Sequence, residues 1–114
     1  MRILIVDDEP DHVETLALLL RESGHHVECA TNPLYALSLA RGFSPEFILI
    51  DLGLPYMDGH EAGRRLRKYF KSARIYAITG RSDEEARRKS EEVGFDGHLV
   101  KPVDVRVIED LLKT

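Results

Sequence analysis

Only one cysteine, Cys29, occurs among 114 residues, so no disulfide can close within the chain. A lone thiol fits a reducing compartment. No apolar run is long enough to span a bilayer. A secretory leader is missing too, because Asp7 and Asp8 arrive before any apolar core of such a leader could form. These absences point to a cytoplasmic location without membrane insertion. Basic charge is also scarce. Sixteen Lys and Arg face twenty Asp and Glu, a net charge of −4, which argues against direct nucleic-acid binding. Repeats, low-complexity tracts and linkers are lacking, and the length suits one domain over residues 1–114.

Five short apolar runs are present: Ile3–Val6, Val27–Ala30, Phe47–Ile50, Ile75–Ile78 and Leu99–Val100. The first, third and fourth are nearly continuous, as in parallel strands covered on both faces. The second is broken by Glu28 and reads as nearer an edge. Helical spacing fills the gaps. Pro10 suits a first helical position, Val13, Leu16, Ala17 and Leu20 form an inward stripe, and Gly24 is a stop. A second helix opens at Asn32-Pro33 and carries Ala36, Leu37 and Ala40 inward. Asp58 caps a third, with Ala62, Leu66 and Phe70 facing in, and Ser82 caps a fourth, with Glu85 completing a capping box. The fifth starts near Asp104 and turns Val107, Ile108, Leu111 and Leu112 inward. Strand and helix thus alternate five times, which predicts right-handed crossovers and a three-layer α/β domain around a parallel sheet.

Open sheets of this kind place their chemistry beyond the carboxyl ends of the strands. Asp7, Asp8 and Glu9 follow the first run, Asp51 the third, Thr79 and Gly80 the fourth, and Lys101 and Pro102 the fifth. Carboxylates gathered in this way repel one another unless a cation joins them. Hard oxygen ligands open to water suit Mg²⁺, with Mn²⁺ as a substitute. Asp51, alone after an apolar strand, is placed to attack a phosphoryl group, as carboxylates do in forming aspartyl phosphates. Lys101 and Thr79 would supply charge and a hydrogen bond to the new oxyanions.

Four segments together, DDEP at 7–10, IDLGLPYMDG at 50–59, ITG at 78–80 and HLVKP at 98–102, resemble the receiver domain of two-component response regulators. The resemblance covers essentially the whole chain. It implies a flavodoxin-like (βα)5 sandwich with strand order 2-1-3-4-5. It implies that Asp51 accepts a phosphoryl group from a phosphohistidine on a histidine kinase or histidine phosphotransfer protein. Asp8, Asp51 and the Gly53 carbonyl would ligate Mg²⁺ directly, and Asp7 through water. Lys101 would contact the phosphoryl oxygens, and Thr79 would bind the phosphate and move on activation. Pro102 would follow a cis bond, while Pro55 and Gly59 shape the loop after Asp51. Readout would fall on the face of helix 4, strand 5 and helix 5. Weak homodimerisation through helices 4 and 5 is a family habit that the highly charged face here leaves open.

The chain departs from the pattern where the family usually has Tyr or Phe, at His98, so both a switching role and a passive role stay open for that residue. Gly53 and Arg81 hold the two positions that tune phosphoaspartate hydrolysis, with no sign assigned. Glu9 reads as a helix-start residue, Cys29 as a small core residue, and His12, His25, His26 and His60 as solvent-exposed. The segment 82–93, thin in apolar residues, reads as a mobile helix that responds to phosphorylation. A haloacid-dehalogenase-like phosphatase would need an Asp at Gly53. A flavodoxin-like cofactor binder would need a Ser/Thr/Gly loop where DDEP stands, and a degenerate receiver would not keep Asp8, Asp51, Thr79 and Lys101. A stand-alone regulator and a fragment of a longer protein are both compatible, and HLVKPVD resembles receivers fused to hybrid histidine kinases.

Overall fold

A computed structural model of the chain describes residues 1–54, 57–80 and 84–114. Five strands and five helices alternate: β1 Arg2–Val6, α1 Pro10–Glu22, β2 His26–Ala30, α2 Pro33–Phe43, β3 Phe47–Asp51, α3 Gly59–Tyr69, β4 Arg74–Thr79, α4 Glu84–Glu92, β5 Gly97–Val100 and α5 Val105–Leu112. All strand pairs are parallel, and the order is β2-β1-β3-β4-β5. This is the expected flavodoxin-like sandwich.

Burial explains the order. Every residue of β3 is buried, and β1 is buried after Arg2, so the two most apolar strands take central places. β2 and β5 are the edges. One core layer joins Leu4, Val6, Ile48, Ile50 and Ile75 to Ala36, Ala40, Ala62 and Leu66 of α2 and α3. The other joins Ile3, Ile5, Phe47, Leu49 and Ile78 to Val13, Ala17 and Leu20 of α1 and Ile108 of α5. Alternate side chains of one strand thus serve opposite layers.

Local chemistry sets the helix ends. Pro10 sits in the first turn of α1, and Gly24 just past its end has φ +96, a conformation natural to glycine. The Asn32, Asp58 and Asp104 side chains cap α2, α3 and α5 by accepting from backbone amides. The Ser82 cap expected for α4 lies outside the described residues. One inward assignment fails. Val107 is 45% exposed, and Val105 packs against the core in its place, because α5 is rotated to bury Ile108 completely. Cys29 packs on the core but is only half-buried, as suits an edge strand. No helix among the described residues is long and apolar enough to cross a membrane.

Candidate functional site

The carboxyl ends of the parallel strands share one edge of the sheet, where Asp7 after β1, Asp51 on β3 and Lys101 after β5 converge. Asp7 is 4% exposed and Asp51 5%. Each turns one oxygen back on its own chain. Asp7 Oδ1 accepts from the Glu9 amide at 3.0 Å, and Asp51 Oδ1 from the Gly53 amide at 2.9 Å. These turns hold one oxygen of each carboxylate from within its own loop. The other oxygens face Lys101, whose Nζ lies 2.9 Å from Asp51 Oδ2 and 3.9 Å from Asp7 Oδ2. Glu9, read as a helix-start residue alone, also sends Oε1 to 3.7 Å from this ammonium. Asp8 is exposed, yet Asp7, Asp8 and Asp51 each offer an oxygen within 4.8 Å of the others.

The electrostatics follow from this crowding. Burial pushes the Asp7 carboxyl up, the Glu9 amide pulls it down, and neighbouring Asp51 pushes it up again, leaving it above the usual carboxylate value. Burial works against the Lys101 charge, but the bond to Asp51 and the charges of Asp51, Asp7 and Glu9 outweigh it and raise its pKa. One ammonium therefore serves three carboxylates. A raised carboxylate costs stability once it ionises. For Asp7 that cost is fully present above the folded pKa and vanishes as pH falls towards the ordinary value of 3.8. Without divalent metal, Asp7→Asn, which keeps the Oδ1 acceptor, will raise the urea midpoint at neutral pH. The gain will shrink below about pH 4. A lower midpoint at neutral pH would show that Asp7 is held by attraction rather than strained by repulsion.

The remaining site residues fall where expected. Thr79 ends β4 in register with Val100, and its carbonyl accepts from the Lys101 amide at 2.8 Å. The Lys101-Pro102 bond is cis. Among the described residues, a Cβ on Gly53 would meet only Asp51 Oδ1, at 3.6 Å, an ordinary contact distance. Gly59 is the opposite case, because a Cβ there would stand 2.5 Å from the Asp51 carbonyl oxygen. His98, on β5 beside Ala77, is part-buried and borders a cavity with Ser90 and Phe95. Pro55 and Arg81 lie outside the described residues.

Two histidines depart from the expected exposure. His25 packs against Glu109, Nε2 to Oε2 3.4 Å, with most of its ring covered. His60 is 6% exposed. Its Nε2 shares a 2.9 Å hydrogen bond with Ser90 Oγ of α4, and its ring stacks on Phe95. Beside it, Lys89 Nζ reaches Asp58 Oδ2 at 3.1 Å. The helix that follows the acceptor loop is thereby tied to α4. Ser90 is the one buried residue described in α4, which fits the thin stripe read from 82–93.

The family model described as response regulator receiver domain matches residues 3–113. The chain belongs to that family. PilH of Pseudomonas aeruginosa is 36% identical over 115 residues, covering 99% of this receiver and 93% of PilH. Sporulation initiation phosphotransferase F of Bacillus subtilis is 30% identical over 112 residues, covering 98% and 90%. A response regulator from Burkholderia pseudomallei, solved with a phosphorylated aspartic acid, calcium ion and citrate, superposes with TM-score 0.93 at 33% identity, over 99% of this receiver and 66% of that chain. Receivers are regulatory phosphoacceptor domains of two-component systems, working with histidine kinases or phosphotransfer proteins and holding Mg²⁺ in an acidic pocket.

Proposed function

We propose that residues 1–114 act as one phosphorylation switch in which Asp51 is the acceptor. The observation that carries this reading is the buried carboxylate at the end of β3, with Lys101 Nζ 2.9 Å from its Oδ2. A carboxylate oxygen of Asp51 attacks the phosphorus of a phosphohistidine on a histidine kinase or histidine phosphotransfer protein. The P–N bond breaks, and the imidazole leaves. Lys101 then moves from carboxylate to phosphoryl oxygens, a short shift for a flexible four-carbon stem. The donor has a place to lie. A groove of about 170 Å³ opens between α1 and α5 beside Lys101, with Val13, Leu16, Leu19 and Val105 on its walls. The domain thus catalyses its own phosphotransfer and dephosphorylation without being a conventional enzyme, in keeping with a cytoplasmic signalling role.

The acidic cluster fits a hard divalent cation, since burial and mutual repulsion leave Asp7 short of positive charge even with Lys101 in place. Asp8, Asp51 and the Gly53 carbonyl would hold Mg²⁺ or Mn²⁺ directly, and Asp7 through water. The ion supplies charge neutralisation for carboxylate and phosphate together. Mg²⁺ will therefore raise the melting temperature of the wild-type chain and do much less for Asp8→Ala. Equal shifts would mean the ion sits elsewhere.

Thr79 hydrogen-bonds the new phosphate, and the response spreads to α4, β5 and α5. This edge is the lightly anchored side of the domain: α4 buries only Ser90 among its described residues, and no residue of β5 is fully buried. His98 stands on the same edge, where the switch would pass.

Incubation with acetyl phosphate and Mg²⁺, read by intact mass, tests the acceptor. One phosphoryl group should add to the wild-type chain and none to Asp51→Asn. No adduct under any metal condition would leave a receiver that only binds partners.

A further inference from the structure

The acidic chain carries one strongly basic concavity that phosphotransfer does not use. The groove between α2 and α3, about 280 Å³, is lined by Leu37, Leu66 and Phe70 below, Tyr69 at the side, and the cations Arg41, Arg64, Arg65 and Lys68 around the mouth. Among the described residues no carboxylate lines it. Glu61, just outside, engages Arg64 at 2.6 Å and Arg65 at 3.2 Å. Arg41 and Lys68 make no ion pair among the described residues. Tyr69 is 63% exposed, and the Arg41 guanidinium lies 5.5 Å from its ring centroid.

We propose that this groove docks a short acidic peptide segment of a partner protein, one that carries an aromatic or aliphatic side chain between its carboxylates. The charge selects the sign. A chain of net charge −4 that gathers four cations around one groove has an attractive field there and a repulsive one over much of its remaining surface. The apolar floor selects the rest. Leu37, Leu66 and Phe70 offer burial to one side chain, while guanidinium forks at the rim match carboxylate geometry. An exposed tyrosine beside arginine is the composition of an interface anchor. A long polyanion such as nucleic acid fits less well, because the chain as a whole is acidic, with a net charge of −4.

The position separates this site from the acceptor. α2 and α3 run from the carboxyl ends of the strands towards their amino ends, and the groove extends from the middle of each helix to its end. It therefore faces away from Asp51, and a partner seated there leaves the phosphorylation pocket open.

The test is fluorescence anisotropy on the full chain with three labelled probes of similar charge: a peptide alternating glutamate with tryptophan, a peptide of glutamate alone, and oligothymidylate. The alternating peptide should bind saturably and most tightly. Arg41→Glu with Lys68→Glu should weaken it about tenfold or more, and so should a rise in ionic strength from about 0.05 M to about 0.3 M. Tyr69→Ala should weaken it as well, and Asp51→Asn should leave it unchanged. Lys68→Glu alone must move affinity in the same direction, which keeps the test valid should the double variant melt early. Absence of saturable binding, indifference to charge reversal, or tighter binding of oligothymidylate would each overturn the proposal.

Discussion

Gly59→Ala will cost about 1–3 kcal/mol of stability and slow phosphorylation by acetyl phosphate, an outsized response to one methyl group. The reason is what the methyl would meet. A Cβ at Gly59 falls 2.5 Å from the Asp51 carbonyl oxygen and 2.7 Å from Leu52 Cα. Both atoms are backbone and cannot rotate away as a side chain would. α3 must therefore retreat from β3, or the strand must bend at the residue that carries the acceptor. Leu52 is held there by its backbone N–H, which donates to the Ile78 carbonyl at 2.9 Å, so bending also strains the junction with β4. Gly42 supplies the control. It lies in α2 with nothing within 4 Å of its Cβ position, so Gly42→Ala should stabilise by up to about 1 kcal/mol through helix propensity alone. Urea denaturation of both variants, with initial phosphorylation rates, checks the pair. A Gly59→Ala variant within about 0.5 kcal/mol of wild type would show that α3 slides freely over the acceptor strand.

His60→Ala will cost about 2–4 kcal/mol and loosen α4. The substitution removes a buried ring stacked on Phe95 and leaves the buried Ser90 hydroxyl without its 2.9 Å partner. α4 has little to replace that anchor. Its other tie described on this side is the Lys89 to Asp58 pair, which is half-exposed and worth little. Amide exchange across residues 84–92 should therefore accelerate in His60→Ala far more than exchange in α1. Ser90→Ala should cost about 1 kcal/mol, and the double variant should cost less than the two single effects together, because each removes the same bond. Unchanged exchange in α4 would mean that the hydrogen bond decorates the contact without holding it.

Most of the architecture could be read from local pattern. The continuous runs at 3–6 and 47–50 announced central strands, and both lie at the centre of the sheet. Asp7, Asp51 and Lys101 could be gathered because each stands at the carboxyl end of a strand, and a parallel sheet brings such positions to one edge. What escaped notice depends on partners far along the chain. His60 is covered by Ser90 and Phe95, 30 and more residues away, and His25 by Glu109, 84 residues away. A histidine carries no periodic signal of burial. The small residues around His60, namely Gly59, Ala62 and Gly63, were the available hint that this helix face lies close to something. Val107 failed for a related reason: in a short helix, apolar residues at 105, 107, 108, 111 and 112 allow two rotations, and only contact with β1 and α1 selects one.

Among the described side chains, the guanidinium of Arg67 donates the most hydrogen bonds. It donates to the carbonyls of Gly94 at 3.0 Å, Lys71 at 3.1 Å and Ala73, and to Asp96 Oδ2 at 2.7 Å. That same Asp96 oxygen accepts from the Ile75 amide at 2.8 Å, so one side chain joins the exits of α3 and α4 to the entrance of β4. For anyone who would cut, permute or splice this chain, the knot has a practical meaning. A reporter domain inserted between residues 69 and 74, or at 94–96, would strand a charge that three segments share. The same cargo grafted at either terminus leaves the knot tied.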